Sequence, residues 1–524
     1  MTHITVYDTT LRDGTQGEGV NLSLQDKLDV ARRLDVLGVD YLEAGYPGSN
    51  PKDEAVFREL GREPLAHAKP VAFGMTRRVA VKAEDDPGLQ GLLAAGTEAV
   101  AVVGKAWDFH VRTVLRTDRD ENLAMVRESV RLLKEAGRTV FFDAEHYFDG
   151  YRADADYALA VVTAAQEAGA DWLVLCETNG GCLPDEVTEV VAATVHATGA
   201  ALGIHCHNDT GLAVANSLAA VRAGCTQVQG TVNGLGERCG NADLCVLIPD
   251  LELKMGHVCL GDEGLARLTD VSRFVYDVAN MLIVPGQPYV GSGAFAHKGG
   301  MHVAAVTRDQ GTYEHLDPAR VGNTRRILVS ELSGRGTILA KVAGTRFEAD
   351  KELQAKVLKE IQQREHAGYY FEAAEASFAL LVRRLAGLAE PFFDLDHYTV
   401  AIKKDDGREP VTEATVKLAV DGVWQHTVAE GDGPVNALDG ALRKALSAAY
   451  PNLTEMSLTD YKVRVINTGA GTAASVRVVI ESRDRDEHWG TVGVSENIID
   501  ASWQALVDSF EYKLTKDREQ KKAV

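Results

Sequence analysis

The hydrophobic positions of the first 260 or so residues form short apolar runs that alternate with amphipathic stretches. For example, "ITVYD" precedes "LQDKLDVARRLDVLG", and "TVFFDAE" precedes "ADYALAVVTAAQEAG". The short runs have the length of buried strands, whereas the longer stretches repeat apolar residues at helical spacing and often end in Gly. Because this alternation occurs eight times, the sequence predicts an α/β fold of the (β/α)8 TIM barrel type. A doubly wound open sheet is the alternative.

The pattern changes after residue 262. The stretch "GLARLTDVSRFVYDVANML" is helical by its spacing, and "GSGAFAHKGGMHVAAV" is rich in Gly, which indicates mobility or close approach to a ligand. A helix-rich segment then leads to a boundary near "EPFFDL". We therefore predict a catalytic barrel over residues 1–262 and helical linker or lid subdomains over residues 263–394.

Residues 395–524 repeat one pattern of three strands and a helix. The strings "YTVAIKK", "ATVKLAVDG" and "VWQHTVAEG" precede the helical "NALDGALRKALSAAY", and a similar series ends in "DASWQALVDSFEYKL". The sequence predicts a C-terminal α+β domain built as a βββα pseudo-repeat. Such a unit exposes a sheet face and an edge, so pairing with a second copy is expected and the protein is predicted to be a homodimer.

Composition and charge narrow the class of function. The chain has 524 residues, of which 45% are hydrophobic and 25% charged, as in globular proteins. The net charge of -21 argues against a nucleic-acid partner, because phosphate binding needs a basic surface. With no signal peptide pattern and no apolar run of about 18 residues, we expect a cytoplasmic protein without a membrane partner. The seven cysteines contain no CxxC pair, which favours reduced thiols.

Polar residues cluster at the predicted carboxyl ends of the barrel strands. In a barrel these ends form the catalytic face, so residues that are distant in sequence become neighbours there. The clustered residues are Asp8, Arg12, Asp13, Glu145, Glu177, Thr178, His205, His207, Asn233 and Glu237.

The string "IHCHND" places His205 and His207 on one side of a predicted strand, so their nitrogens converge. Paired strand histidines alone are more often surface or core residues than ligands. Together with Asp13 they form a set that suits a divalent cation such as Mn²⁺, Mg²⁺ or Zn²⁺ and leaves positions open for substrate. Arg12 offers a guanidinium to an anionic oxygen, although it could merely pair with Asp13 across a turn. Asn241 is a fourth candidate ligand, although an Asn beside Gly is more often a cap or turn residue.

Several motifs together resemble a known family. The strings "DTTLRDGTQ", "HCHND", "GLGERCGNADL" and "GSGAFAHKGGMHVAAV" occur in this order before the βββα repeat. They resemble the 2-isopropylmalate synthase and homocitrate synthase family, and most of all its citramalate synthase branch. The strings "YLEAGYPGSNPKD", "RRILVSELSGRG" and "VSENIIDASWQALVDSFEYKL" extend the resemblance over nearly the whole chain.

The resemblance implies an acyltransferase with acetyl-CoA as co-substrate. Its reaction is a Claisen-type condensation of acetyl-CoA with a 2-oxo acid, which is pyruvate in the citramalate branch, followed by thioester hydrolysis. The family's metal ligands correspond to Asp13, His205, His207 and Asn241. For the citramalate branch, which serves a threonine-independent route to isoleucine, the expected effector at the C-terminal domain is isoleucine.

The resemblance also implies roles for five further positions. Arg12 corresponds to the family's oxyanion-binding arginine, Thr178 to the contact with the 2-oxo acid carboxylate, and Glu145 to the contact with the thioester. The base apparatus corresponds to His302 with Tyr313. In the simpler interpretation Glu145 is a structural carboxylate paired with an arginine, Tyr313 is a packed aromatic, and His302 is a loop histidine.

Two further points bear on the base and the substrate. Isopropylmalate synthases usually carry an acid after the base histidine, whereas "MHVAAV" is apolar here, and His297 is best interpreted as a loop histidine. The related 2-isopropylmalate and homocitrate synthases differ in the 2-oxo acid side chain, and hence in pocket residues such as Met75, Trp107 and Asp143. A non-catalytic amino-acid sensor is the more distant alternative, against which the intact set of candidate residues argues.

Overall fold

A computed structural model of the chain describes residues 2–329, 350–389, 391–407, 409–466 and 474–523. Its contacts divide the chain into two compact units. The first comprises Met1–Phe295 and Leu316–Arg325, and the second comprises Ala296–His315 and Arg326–Val524. The three-domain division at residues 262/263 and 394/395 stays a prediction. The string "RRILVSELSGRG" lies outside the described residues from position 330 onward.

The first unit is built on eight parallel strands that close into a barrel. The first strand pairs with the second on one side and with the eighth on the other, so the sheet has no free edge. This closure confirms the predicted (β/α)8 barrel and excludes the doubly wound open sheet. The strands are β1 (Thr5–Asp8), β2 (Tyr41–Gly45), β3 (Lys69–Met75), β4 (Ala99–Lys105), β5 (Thr139–Glu145), β6 (Trp172–Glu177), β7 (Leu202–Cys206) and β8 (Gln227–Gly230).

The helices of this unit begin and end where the sequence supplies caps. In the first helix, Ser23 and Asp26 each accept a hydrogen bond from the backbone N–H of the other, and the helix ends at Gly38, whose φ is 99°. The helices span Leu24–Leu37, Pro51–Arg62, Pro87–Ala94, Asp108–His110, Arg119–Glu135, Tyr147–Ala153, Ala155–Glu167, Pro184–Thr198, Ala213–Ala223, Leu244–Pro249, Gly261–Leu265 and Leu268–Val278.

Two apolar layers hold the barrel. The larger lies between the strands and the helices, and a smaller one fills the barrel interior. Strand β4, "AVAVVGK", is buried along most of its length because both faces of a barrel strand are covered. The polar side chains that follow the strands are therefore carried by a rigid frame. The interior layer consists of Tyr7, Val71, Ala99, Ala101, Phe141, Val174 and Cys176.

The second unit contains two three-stranded antiparallel sheets, each followed by a helix. Leu442 of the first of these helices and Phe510 of the second are fully buried in one shared apolar core with residues of both sheets. This arrangement confirms the predicted βββα pseudo-repeat. The elements are β11 (Asp394–Lys403), β12 (Val411–Val420), β13 (Val423–Gly431), the helix Pro434–Leu446, β14 (Ser457–Val465), β15 (Val476–Arg483), β16 (His488–Ser495) and the helix Ile498–Ala523.

The Gly-rich stretch, whose glycines indicate mobility or close approach to a ligand, contains a helix. The helix Gly300–Arg308 begins directly after Gly299, and Val303 and Val306 are buried three positions apart on one of its faces. Its mobility stays a prediction. The same unit holds the short strands β9 (Ala296–His297) and β10 (Arg326–Ile327) and the helices Lys351–His366 and Glu375–Leu385. None of the helices among the described residues is long and apolar enough to cross a membrane.

Candidate active site

A cavity of about 390 Å³ opens at the carboxyl ends of the barrel strands. It is the place where the barrel topology brings the predicted polar residues together, and six of the nine predicted site residues line it: Arg12, Asp13, Glu145, Thr178, His205 and His207. Its other lining residues are Gln16, Tyr46, Phe73, Met75, Val103, Lys105, Asp143, Cys176, Glu237 and Arg238. We call this cavity the barrel pocket.

Asp13, His205 and His207 form the group best placed to hold a metal. Each is buried and offers one ligand atom, and the three atoms lie within 4.8 Å of one another. The Asp13 Oδ2 atom is 3.3 Å from Nε2 of His205. A buried carboxylate and two imidazoles at this spacing are a donor set for a divalent cation.

Asn241 lies beside this group. Its backbone forms an isolated bridge with His207, and its side-chain Oδ1 is buried without a hydrogen-bond partner among the described residues. The Nδ1 atom of His207 is likewise buried and unpartnered within that part of the chain. Since leaving a buried polar atom unpaired costs about 1–3 kcal/mol, these lone pairs fit a site that accepts a cation.

A hydrogen bond from the ring nitrogen that does not face Asp13 orients His205. The His205 Nδ1 atom lies 3.0 Å from Oε1 of Gln229, an oxygen that accepts the Nδ1–H, and this bond directs Nε2 towards Asp13. Gln229 was not among the residues predicted from the sequence. The available signal was a pair of glutamines two residues apart, on one face of a short strand.

The Arg12 guanidinium is fixed on three sides. Its Nε donates to Glu43, its Nη1 lies 3.5 Å from Oδ1 of Asp13, and it stacks 3.9 Å from the ring centre of Phe73. The Tyr7 hydroxyl donates to the other Glu43 oxygen at 2.6 Å. Arg12 and Asp13 therefore do pair across the turn, and the same Asp13 carboxylate also lies close to His205 and His207. Glu43 was not predicted from the sequence, although "YLEAG" places an acid in the middle of a predicted strand.

The charged groups of the site shift one another's pKa values. Burial raises the pKa of Asp13, but Arg12 and His205 outweigh it and hold that pKa well below its usual range. Burial lowers the pKa of His207 to about 4, and the neighbouring His205 adds to this shift. A carboxylate that stays ionised and an imidazole that stays neutral are the forms that bind metals.

Asp143 also lines the pocket, but its pKa shifts in the direction opposite to that of Asp13. Burial, with the negative charge of Glu43 second, raises the pKa of Asp143 to about 7, and its Oδ1 has no hydrogen-bond partner among the described residues. Near neutral pH a large fraction of this carboxyl is therefore protonated and able to donate a hydrogen bond into the pocket. Of the other predicted specificity residues, Met75 lines the pocket, whereas Trp107 is not one of its lining residues and stacks on His110.

Glu145 is paired with a lysine rather than with an arginine. The ammonium group of Lys105, at the end of β4, contacts the Glu145 carboxylate, and the two residues are opposite each other in the β4–β5 register. Both side chains line the barrel pocket. The pair gives the pocket an anionic and a cationic group side by side.

The Thr178 side chain is oriented by its neighbours. Its Oγ1 accepts a hydrogen bond of 2.9 Å from the backbone N–H of His146, which leaves the hydroxyl hydrogen free to donate into the pocket. The Thr178 carbonyl accepts a 2.7 Å bond from Arg238, which also binds Asp209 through two nitrogens. Arg238 thereby ties together the loops that follow β6, β7 and β8.

His302 and Tyr313 belong to the second unit. Their rings stack with centroids 4.0 Å apart, and the His302 side chain is exposed. His297 instead lies 3.0 Å from Oε1 of Glu314 and is mostly buried. The structure therefore pairs the two residues of the predicted base apparatus with each other, and their roles stay a prediction.

The loop that carries Asn241 depends on Gly240. Its φ is 86°, and a Cβ added there would lie 1.9 Å from the Gly234 carbonyl oxygen. We expect Gly240→Ala to displace Asn241 and lower the affinity for Mn²⁺ about 10- to 100-fold, measured by calorimetric titration. Gly256→Ala is the control, because its φ is 75° but no heavy atom lies within 4 Å of the added Cβ. Equal affinities in the two variants would contradict this role of the loop.

Comparisons with known proteins cover nearly the whole chain. Residues 3–275 match the HMGL-like family model, residues 289–368 the homocitrate synthase post-HMGL domain-like model, and residues 372–514 the LeuA allosteric (dimerisation) domain model. The first match includes all eight barrel strands, and the last includes both three-stranded sheets of the second unit, the helix Pro434–Leu446 and most of the helix Ile498–Ala523.

Full-length relatives agree with these matches. An (R)-citramalate synthase of Geobacter sulfurreducens is 52% identical, with 99% of each chain covered, and one of Aquifex aeolicus is 51% identical, with 98% of each covered. A probable 2-isopropylmalate synthase of Methanopyrus kandleri is 33% identical over 96% of this chain and 97% of its own. The chain therefore belongs to the HMGL-like family, in the branch formed by the (R)-citramalate synthases.

Proposed function

We propose that this protein is an acyltransferase that condenses acetyl-CoA with pyruvate and hydrolyses the resulting thioester, giving (R)-citramalate and CoA. The observation that carries the proposal is the barrel pocket, which combines a three-residue donor set for a cation with a fixed arginine and a carboxylate. The names of relatives at 42–52% identity over nearly the whole chain support the choice of reaction.

Asp13, His205, His207 and Asn241 would hold a divalent cation, with Mn²⁺, Mg²⁺ and Zn²⁺ as the candidates. When bound, such an ion supplies Lewis-acid chemistry to a 2-oxo acid that chelates it. The chain itself prepares the site, since Gln229 orients His205, and burial with the adjacent His205 keeps His207 neutral.

Arg12 and Thr178 would bind the 2-oxo acid. The guanidinium of Arg12, already held by Glu43 and Phe73, needs no rearrangement to stabilise the alkoxide that forms from the ketone oxygen. The Thr178 hydroxyl donates to the substrate carboxylate, because its oxygen is already engaged by the His146 N–H. Both donors thus select a substrate with an anionic end beside its ketone.

The second substrate must lose a methyl proton. Glu145, paired with Lys105, would contact the thioester, and His302 would accept the proton as general base, with Tyr313 stacked on its ring. Removal of the proton next to the thioester carbonyl creates the carbon nucleophile that attacks the ketone carbon of pyruvate. Water then cleaves the thioester, and CoA leaves as the thiol.

The experiment is a parallel substrate assay. We expect thiol release from acetyl-CoA with pyruvate to exceed that with 2-oxoisovalerate or 2-oxoglutarate, to stop with EDTA and to return on adding back metal. The product should be identified as (R)-citramalate by chiral chromatography. A preference for 2-oxoisovalerate or 2-oxoglutarate would make the protein a 2-isopropylmalate or homocitrate synthase, and no release with any acid would favour the non-catalytic sensor.

For the second unit we propose a homodimer with isoleucine as effector. The match of residues 372–514 to the LeuA allosteric (dimerisation) domain supports both parts. We expect millimolar isoleucine to lower the rate of thiol release and raise the thermal transition of the full chain, with valine and leucine as controls. If isoleucine changes neither quantity, or acts no more strongly than the controls, this part of the proposal fails. The cytoplasmic location stays a prediction.

A further inference from the structure

His297 and Glu314 form a mostly buried ion pair in the second unit. The side chain of His297 is 10% exposed and that of Glu314 is 2% exposed, and Nε2 of His297 lies 3.0 Å from Oε1 of Glu314. Burying such polar groups costs free energy unless each has a partner, so a buried pair fixes the positions of both side chains. We call these two residues the anchoring pair.

The anchoring pair joins the two ends of the segment that carries the predicted base. His302 follows His297 in the chain and lies in the first turn of the helix Gly300–Arg308, and Tyr313 directly precedes Glu314. The pair therefore closes residues 297–314 into a loop that contains both the His302 ring and the Tyr313 ring. Because the ends of this loop are held together, its conformational freedom is reduced, and the two rings can adopt fewer positions relative to each other.

Backbone hydrogen bonds hold each end of this loop. His297 belongs to β9 and pairs with Ile327 of β10, and its carbonyl accepts a 2.9 Å hydrogen bond from the N–H of Leu328. At the other end, the N–H of Glu314 donates to the carbonyl of Gln310 at 3.0 Å. The anchoring pair thus connects a short strand to the turn that follows the helix of His302.

We propose that the anchoring pair positions the base His302 against Tyr313. This inference rests on the proposed function, in which His302 accepts the methyl proton of acetyl-CoA. The two rings stack with centroids 4.0 Å apart and an angle of 24° between their planes, and this geometry depends on where the turn after the helix places Tyr313. His297 and Glu314 act on the base through that turn, so their role is one of positioning and not of catalysis.

The exposure of the base explains why it needs a separate anchor. His302 and Tyr313 are both exposed, and Met301 beside the base is 78% exposed. The residues at positions 303–306 that follow His302 are apolar and offer no side-chain hydrogen bond to the imidazole. An exposed side chain samples several rotamers unless its neighbours fix it. Tyr313 can fix the imidazole only if its own turn is held in place, and the anchoring pair holds that turn.

The test uses variants of the anchoring pair in the full chain. We expect His297→Ala to lower kcat for thiol release about tenfold, because proton transfer depends on the exact placement of the base. KM for pyruvate and the affinity for Mn²⁺ should stay within about twofold of the parent values, since the residues proposed for both lie in the first unit. The kinetic isotope effect on kcat with acetyl-CoA deuterated at the methyl group should not decrease, because proton removal is the step that slows.

Glu314→Gln is the conservative variant. Its amide oxygen still accepts the hydrogen bond from His297, so kcat should stay within about threefold of the parent, whereas Glu314→Ala should lose about as much as His297→Ala. The double alanine variant should be no slower than the slower single variant, since the two side chains act through one contact. His3→Ala is the control, because it removes a histidine that pairs with Asp40 at 3.2 Å in the first unit.

The outcomes separate this inference from the proposed function. A parent kcat in His297→Ala, a weaker affinity for Mn²⁺ or an isotope effect that decreases towards one would each overturn the positioning role while the proposed function stands. If the parent protein releases no thiol, the proposed function itself fails. Should thermal unfolding show that His297→Ala does not fold, His297→Leu with Glu314→Met removes both buried polar groups at similar volume, and a parent kcat in that variant would overturn the inference.

Discussion

Replacing Asp13 by Asn is expected to lower the rate of thiol release about 10³-fold. The substitution keeps the size of the side chain but removes the charge that faces His205 at 3.3 Å and lies in the donor group with His207. Lewis-acid stabilisation of this kind contributes several kcal/mol, and each 1.4 kcal/mol corresponds to about tenfold in rate. The affinity for Mn²⁺, measured by calorimetry, should fall in parallel.

The control for Asp13→Asn is Asp29→Asn, which removes a carboxylate that is 41% exposed on the first helix. Thermal unfolding should show that both variants are folded. If Asp13→Asn binds Mn²⁺ as tightly as the parent and releases thiol at the parent rate, the donor set proposed for the cation is wrong. If the rate falls while Mn²⁺ affinity is retained, Asp13 acts on the substrate rather than on the metal.

Arg12→Met is expected to reduce both activity and stability. Its removal takes away the oxyanion donor, which corresponds to a loss of about 10²- to 10³-fold in kcat. It also leaves the fully buried Glu43 carboxylate without its charged partner, which costs about 3–5 kcal/mol and should lower the thermal transition by about 10 °C. Steady-state kinetics and calorimetric scanning measure the two effects separately.

A double variant separates the two roles of Arg12. The double variant Arg12→Met with Glu43→Gln no longer buries an unpaired carboxylate. At least half of the decrease in transition temperature caused by Arg12→Met should therefore be reversed, while kcat stays low. Glu43→Gln alone keeps the guanidinium and gives the reference for the pair. Recovery of activity in the double variant would show that Arg12 serves the fold and not the reaction.

The barrel was predictable because its signal is local. Each strand and helix carries its own periodicity, and capping residues such as Ser23, Asp26 and Gly38 mark the ends of the first helix. The residues that follow the strands could likewise be assigned to one face. This is why Asp13 and His205, nearly two hundred positions apart in the chain, were expected together and lie 3.3 Å apart.

The partners of these residues were not predictable in the same way. Lys105 faces Glu145 because of the β4–β5 register, and Glu43 reaches Arg12 from β2, and neither register can be read from periodicity. Gln229 is set behind His205 by the closure of the barrel. The helix at His302 was obscured by its flanking glycines, which mark the start of the element and not its interior.

The charged lining around Arg12 has a consequence for anyone who engineers this protein. Three buried acids, Asp13, Glu43 and Asp143, act on the single guanidinium of Arg12, and buried ionic groups are often less stabilising than apolar side chains of the same volume. Selection for thermal stability alone would therefore favour apolar replacements at these positions. The resulting barrel would be more stable but would lack catalytic activity. Libraries screened for thermostability should leave this end of the barrel unchanged and vary the outer helices instead.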